Sequence, residues 1–236
     1  MSIPVSLSMP TLPSRNSAPP LVAGLLNRRR ETAASVPVRD AVVVGAPIVA
    51  ASVLTAAKGT DAEAGSVIVA LDVPPEDLAT AVDHRAVRFH VECTAEQIGD
   101  ANALRLPAPI VVFVTPDADG PTLAESAQLL ADAGHCPGLP PGQSSRVVAD
   151  FLAVLAHTSV GFVARAADGA EVIALLAGTV AALRGDDVVA AMSTPDAAAL
   201  AALIPEAAEA VRSVLLGIEV DDVDQVETAL AEAGLL

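Results

Sequence analysis

Several polar side chains occur where apolar runs of this chain end, and these are the residues that could do chemistry. Carboxylates and imidazoles transfer protons, carboxylates also hold divalent cations, and guanidinium groups bind anions. In parallel α/β folds the working groups lie at the carboxyl ends of the strands, so these positions are expected to meet around one rim. The predicted acid–base residues are Asp72, His90, Glu92 and Asp117. Arg165 and Ser193 are predicted to bind the substrate, a small anionic molecule.

The same carboxylates also admit a structural role. Asp72, Asp117 and Asp221 each stand just before a predicted helix. There a carboxylate can cap the free backbone N–H groups and stabilise the helix dipole. Thr115 and Glu219 are further strand-end candidates, and Glu219 is one of the carboxylates that could hold a divalent cation or transfer a proton there.

One predicted strand carries three polar side chains on a single face. Arg88, His90 and Glu92 alternate with apolar neighbours, and alternate residues of a strand share a face. Burying that face without partners would cost several kcal/mol per charge, on the order of the penalty for a lone buried ion. Either the strand lies at a sheet edge with one face in water, or the polar face lines a cavity, and we favour the edge.

No motif specifies a metal or a cofactor. Cys93 and Cys136 are the two cysteines, and neither a Cys-x-x-Cys nor a His-x-x-x-His spacing occurs, so no metal site is predicted. The glycine-rich dinucleotide and phosphate-binding patterns and the Gly-x-Ser-x-Gly nucleophile turn are missing as well. The cofactor therefore stays unknown, and the single lysine, Lys58, falls at a predicted helix end instead of in a strand.

The elements that must position these residues alternate between β-branched runs and Ala/Leu-rich stretches, a pattern typical of βα units around a parallel sheet. The predicted strands are Val42–Gly45, Val67–Asp72, Val87–Glu92, Ile110–Thr115, Val160–Arg165, Val188–Met192 and Val214–Val220. The predicted fold class is α/β, a (βα)₈-like barrel, with an open doubly wound sheet as the alternative. The region between Thr115 and Val160, with its Pro/Gly loop at His135–Gly142, lacks a predicted strand, which favours either an incomplete barrel or two half-domains joined at that loop.

The composition of the chain divides it into two predicted parts. Residues 1–39 are rich in Pro, Ser and Arg and predict a flexible basic arm, and residues 40–236 predict the α/β domain. The whole chain has a net charge of −16, which argues against nucleic acid as a partner. The longest uncharged run is interrupted by Gly45 and Pro47, so no membrane partner is predicted. The two cysteines fit a reducing cytoplasm, and the Ala-rich helices are compatible with a homo-oligomer.

Two resemblances extend this interpretation. Residues 67–78, VIVALDVPPEDL, resemble the opening strand and helix of the orotidine-monophosphate decarboxylases and related barrels, in which the strand-end aspartate contacts the ligand. The resemblance implies a barrel and a ligand contact at Asp72. The Asp-x-Lys-x-x-Asp motif of that family has no counterpart here, so its activity is not carried over.

The second resemblance covers residues 109–236, from PIVVFVTPD through VVADFLAVLAHTSVGFVARA to AEAGLL, and is to an uncharacterised bacterial α/β family. That family has a Gly-Gly loop and a Gly-Leu-His-His segment, where this chain has Leu139-Pro140-Pro141-Gly142 and Ala166-Ala167-Asp168-Gly169. The loss of the two histidines implies a degenerate copy.

Two functional hypotheses follow. The first is a lyase or isomerase that uses strand-end carboxylates for acid–base or metal chemistry on a small substrate. The second is a non-catalytic α/β protein that acts through protein–protein association.

Overall fold

The chain folds into a closed barrel of eight parallel strands, each neighbour in space following in sequence. The computed structural model describes residues 20–31, 43–56, 66–80, 86–117 and 119–236. The strands are β1 Leu26–Arg30, β2 Ile48–Ala50, β3 Val67–Ala70, β4 Ala86–Thr94, β5 Ile110–Thr115, β6 Cys136–Leu139, β7 Phe162–Ala166 and β8 Leu215–Val220. β1 pairs with both β2 and β8, which closes the sheet. The predicted (βα)₈ class is thereby confirmed, and the barrel is complete.

Helices follow most of the strands and cover the outside of the barrel. The described helices are α1 Ala51–Ala56, α2 Ile98–Ala103, α3 Leu123–Asp132, α4 Ser145–Leu155, α5 Gly169–Arg184, α6 Val188–Ser193, α7 Ala197–Ala201, α8 Pro205–Val214 and α9 Val223–Glu232. Short 3₁₀ helices lie at Pro75–Thr80 and Ala95–Gln97. In the part of the chain that the structure describes, no helix is both long and apolar enough to cross a bilayer.

Polar side chains begin several of these helices. Thr122 starts α3 with a reciprocal pair of hydrogen bonds to Glu125. Asp196 accepts from the backbone of α7, and Asp222 does the same at α9. Each cap satisfies backbone donors that have no partner inside the helix, which stabilises the end by about 1 kcal/mol.

The largest core cluster packs helices from the second half of the chain against β1, β7 and β8. It includes Phe151, Phe162 and Leu176, all less than 2% exposed. The apolar segment before β1 joins it through Leu21 and Leu25. Because the burial of apolar surface is the main favourable term in folding, this cluster stabilises the side of the barrel formed by β1, β7 and β8.

Two strands lie where the sequence predicts none. β1 falls inside the predicted arm, and the rest of that arm, residues 1–19 and 32–39, lies outside the described residues. β6 lies within the predicted Pro/Gly loop. Its four residues are buried and pair in parallel with β5 on one side and β7 on the other. With β6 in place the expectation of an incomplete barrel is wrong.

Two predicted strands do not form. Val188–Ser193 is the helix α6, whose first turn is capped by the Asp187 carboxylate accepting from the Ala190 N–H. In the predicted strand at 42–45, Val42 lies outside the described residues and Val44 makes only an isolated bridge to Leu26. The second barrel strand comes three residues later, at Ile48.

Candidate functional site

Five charged or ionisable side chains converge at the carboxyl end of the barrel. They come from β1, β4, β7 and β8; ion pairs link the four charged side chains, and the imidazole of the fifth lies 3.5 Å from a carboxylate oxygen. We call this set the mouth cluster: Arg29, His90, Glu92, Arg165 and Glu219. Because a closed barrel has no edge, the predicted edge position for the polar face of β4 is wrong, and that face lines the interior.

Strand register explains why these residues meet. Glu219 of β8 is the Cα partner of Arg165 on β7 and of Asn27 on β1. Arg29 lies two residues beyond Asn27 and therefore projects from the same face of β1. One carboxylate thus has a guanidinium on the strand to each side.

Glu219 is the buried centre of the cluster, with 5% of its surface exposed. Its Oε1 accepts from Nε of Arg29, and its Oε2 accepts from Nε of Arg165 at 3.1 Å. Burial alone would favour the neutral acid. The nearby His90 imidazole and the charges of both arginines outweigh burial and lower the pKa of Glu219 to about 2. Glu219 is therefore ionised and fixes both guanidinium groups by their Nε atoms.

Glu92 contacts both arginines from β4, on the other side of the barrel. Its Oε1 accepts from Nη2 of Arg165 at 2.8 Å and lies 3.4 Å from Nη2 of Arg29. Unlike Glu219, this side chain is 60% exposed. An exposed ion pair is held weakly, typically by less than about 1 kcal/mol. Glu92 is thus the member of the cluster that can leave it at the lowest cost.

His90 lies deeper, two residues before Glu92 on the same face of β4, and is 2% exposed. Its Nδ1 is 3.5 Å from Oε2 of Glu219, and its Nε2 has no hydrogen-bond partner among the described residues. Burial lowers the pKa of His90, and it outweighs the opposing effect of Glu219. The imidazole is therefore neutral near pH 7 and can accept or pass a proton.

Below His90 the interior holds a half-buried cation. Nη2 of Arg88 donates to the carbonyl of Leu216 at 2.9 Å, and no carboxylate of the described residues lies within ion-pair distance of it. Burial lowers the pKa of Arg88. Asn27 shares this layer, with its Nδ2 donating to the Ala46 carbonyl. The interior therefore has a positive charge that Glu92 and Glu219 do not neutralise.

Of the predicted site residues, His90, Glu92 and Arg165 come together in the mouth cluster. Asp72 does not join them, because its carboxylate accepts from the backbone N–H of Ser52 at 2.8 Å and from the Ser52 hydroxyl. Burial opposes ionisation of Asp72, but these two hydrogen bonds outweigh it and lower the pKa. Asp72 fixes the start of α1, so its role is structural, but the helix it stabilises precedes it in the chain instead of following it as the sequence predicts.

The two remaining predicted residues lie apart from the cluster's contacts. Ser193 belongs to α6 instead of a strand end, and its hydroxyl donates to the Val189 carbonyl within the helix. The reason for assigning it to the rim therefore disappears with the predicted strand. Asp117 is exposed after β5, and its carbonyl accepts from the Gly120 N–H.

Sequence reasoning missed Arg29 and counted Glu219 only as one of several strand-end carboxylates. Arg29 stands in an Arg-Arg-Arg run within a Pro/Ser-rich segment, which is typical of an arm. The sequence pattern that could have identified Arg29 is the alternation of the polar residues Asn27 and Arg29, which has the same two-residue spacing as the polar residues of β4. Glu219 is the polar residue of an otherwise apolar strand, and a buried acid there requires a cationic partner.

Neither a metal centre nor an activated thiol is indicated among the described residues. No group of three or more His, Cys, Asp or Glu side chains there could hold a metal ion. Burial raises the pKa of both Cys93 and Cys136, which disfavours the nucleophilic thiolate. A cavity of about 440 Å³ lies beside α1, and its described lining (Ser52, Thr55, Ala56, Val73, Glu76 and Asp77) includes no member of the mouth cluster.

What the cluster can do chemically follows from its donors. Two guanidinium groups, fixed from below by Glu219, direct Nη2 atoms at one exposed oxygen of Glu92. That arrangement suits the binding of an oxyanion, with a neutral imidazole nearby for proton transfer. No protein-family model matches the chain, and no curated protein or solved structure matches it either.

Proposed function

We propose that this protein is a small-molecule enzyme of the lyase or isomerase type, and that the mouth cluster binds a small anionic substrate. The observation that carries the proposal is the convergence of Arg29 Nη2 and Arg165 Nη2 on a single exposed acceptor at the carboxyl end of the barrel. Barrels of this class carry their active sites at that end, which supports the same position by analogy of fold.

The proposed roles follow from burial and contacts. Arg29 and Arg165 bind the anionic group of the substrate and stabilise negative charge that develops next to it. Glu92, which is exposed, takes a proton from the substrate. His90, which is buried and neutral, is the second group that can accept a proton from the substrate. Both lyase and isomerase reactions need such a proton transfer beside an anionic group.

The experiment that tests this proposal measures anion binding and proton exchange with defined probes. Pyruvate, succinate and inorganic phosphate are titrated into the protein by calorimetry, and ¹H NMR in D₂O follows exchange of the methyl protons of bound pyruvate. We expect saturable binding of at least one probe, and a loss of at least about tenfold in affinity in Arg165→Met, which removes a charge-assisted hydrogen bond.

The matched control is Arg146→Met. Arg146 is 81% exposed on α4 and pairs only with Asp150 among the described residues, so its loss changes the net charge equally without touching the cluster. If none of the probes binds, the enzyme proposal is wrong. The cluster is then a closed charge network, and the alternative of a non-catalytic protein acting by association takes its place.

A further inference from the structure

We infer that Glu92 is an internal occupant of the anion site and that the site is built for a carboxylate group, so that a substrate carboxylate displaces Glu92 when it binds. This inference rests on the proposed function, since it names the chemistry of the ligand at the same site. It starts from the difference between the two acids of the mouth cluster.

The two acids contact the arginines through different atoms. Glu219 accepts from the Nε atoms of both guanidinium groups and is buried. Glu92 contacts their Nη2 atoms and is 60% exposed. The Nη2 positions face the mouth, so an incoming anion meets Glu92 first, and Glu219 keeps the guanidinium groups oriented after Glu92 has left.

Charge indicates which anion fits. Arg29 and Arg165 carry two positive charges, and the ionised Glu219 neutralises one of them. The remaining charge of +1 is balanced by Glu92. A ligand carboxylate that replaces Glu92 preserves this balance between the two arginines and the two acids. It also reproduces the contacts that the Glu92 carboxylate already makes with both Nη2 atoms, so a carboxylate is favoured over phosphate.

The internal occupant also lowers the apparent affinity of the site. If the Glu92 ion pair is worth about 0.8 kcal/mol, Glu92 fills the site about four-fifths of the time, and the apparent dissociation constant is about fivefold higher than that of the open site. Removing Glu92 from the site is therefore expected to strengthen binding, although the substitution takes a charged residue out of the cluster.

The test is a titration of the full chain with pyruvate and with inorganic phosphate, followed by the ¹H–¹⁵N signals of the Arg29 and Arg165 Nε–H groups. Glu92→Gln removes the charge, and Glu92→Asp keeps the charge on a side chain one methylene shorter. Glu96→Gln is the control, since Glu96 is exposed in the 3₁₀ helix that follows β4 and its loss changes the net charge equally.

We expect pyruvate to bind about fivefold more tightly to Glu92→Gln and about threefold more tightly to Glu92→Asp, while Glu96→Gln changes the affinity by less than about twofold. Because Glu92→Asp retains the charge, it also provides a result if Glu92→Gln does not fold. Pyruvate binding that is equal in the wild type and in both Glu92 variants would overturn the inference but leave the proposed function in place. Phosphate binding more tightly than pyruvate to Glu92→Gln would overturn the carboxylate assignment. If neither probe shifts the arginine signals of any form, both proposals are wrong.

Discussion

The Arg165 guanidinium lies over the ring of Phe113, with its Cζ atom 3.9 Å from the ring centroid. Phe113 is 3% exposed, so the contact is desolvated on one side. The ring holds the cation from one face while Glu219 and Glu92 hold its edge. A cation over an aromatic face is stabilised by about 0.5–2 kcal/mol. Phe113 therefore orients the arginine that the proposed site uses.

The first prediction concerns that ring. Phe113→Leu removes the aromatic face, and we expect anion affinity to fall by about two- to fivefold, as measured by calorimetry with pyruvate. Phe151→Leu is the control, since Phe151 is equally buried but contacts Phe162 instead of the cluster. Both variants should lose stability. Equal anion affinity in the wild type and in Phe113→Leu would contradict the role of the ring.

The second prediction concerns the buried acid. Because the pKa of Glu219 falls from an ordinary value of 4.5 to about 2 on folding, its ionisation stabilises the fold above pH 4.5 and this contribution is lost as the pH falls toward 2. Glu219→Gln should therefore lose on the order of 3 kcal/mol of unfolding free energy near pH 7, and the difference from wild type should shrink between pH 4.5 and 2. Urea unfolding followed by circular dichroism at several pH values measures it.

Circular dichroism is the appropriate probe because the chain has neither Trp nor Tyr. Glu232→Gln removes the same charge from the exposed surface of α9 and should change stability by less than about 0.5 kcal/mol. A constant difference between wild type and Glu219→Gln at every pH would show that the fold does not favour the ionised acid.

The third prediction concerns Gly138 on β6. A Cβ atom at this position would lie 2.4 Å from the Phe113 ring, far inside van der Waals contact. We expect Gly138→Ala to destabilise the barrel by about 1–3 kcal/mol, as overpacking does in other cores. Gly99→Ala, in α2 with open space around the new methyl group, should be neutral or slightly stabilising. If Gly138→Ala has wild-type stability, Phe113 does not occupy that space.

The fourth prediction separates structure from chemistry at Asp72. Asp72→Ala removes two hydrogen bonds to Ser52 and should cost about 1 kcal/mol of stability without changing anion affinity. Ser52→Ala and the double variant form a cycle in which the two effects are less than additive, because the residues share a bond. A large loss of anion affinity in Asp72→Ala would return this residue to the site.

The sequence predicts the βα alternation because strands buried on both faces read as apolar runs, and β3, β5 and β8 are found close to their predicted bounds. The sequence does not predict a strand that forms only because it pairs with neighbouring strands. β6 reads Cys-Pro-Gly-Leu, whose composition is typical of a turn, and only pairing with β5 and β7 makes it a strand. At Val188–Ser193 the β-branched start is overridden by the Asp187 cap.

In the candidate site, too, a local sequence pattern identifies some residues and misses those whose position depends on strand pairing. Arg88, His90 and Glu92 can be assigned to one face of a strand from their spacing alone, and Arg165 from its place at the end of an apolar run. Arg29 cannot, because β1 lacks the apolar pattern and exists through pairing with β2 and β8. The ion pair between Arg29 and Glu219 joins residues 190 positions apart, and no local pattern reports a contact of that range.

The sequence separation between β1 and β8 also determines when the barrel can close during synthesis. β8 is made after the other described strands, so one edge of β1, which is made before them, stays unpaired until β8 follows. Until then, that edge of β1 is available for pairing with other chains. Its three successive arginines repel a second copy of the same edge, so this run, which includes Arg29 of the mouth cluster, would also protect the unfinished molecule.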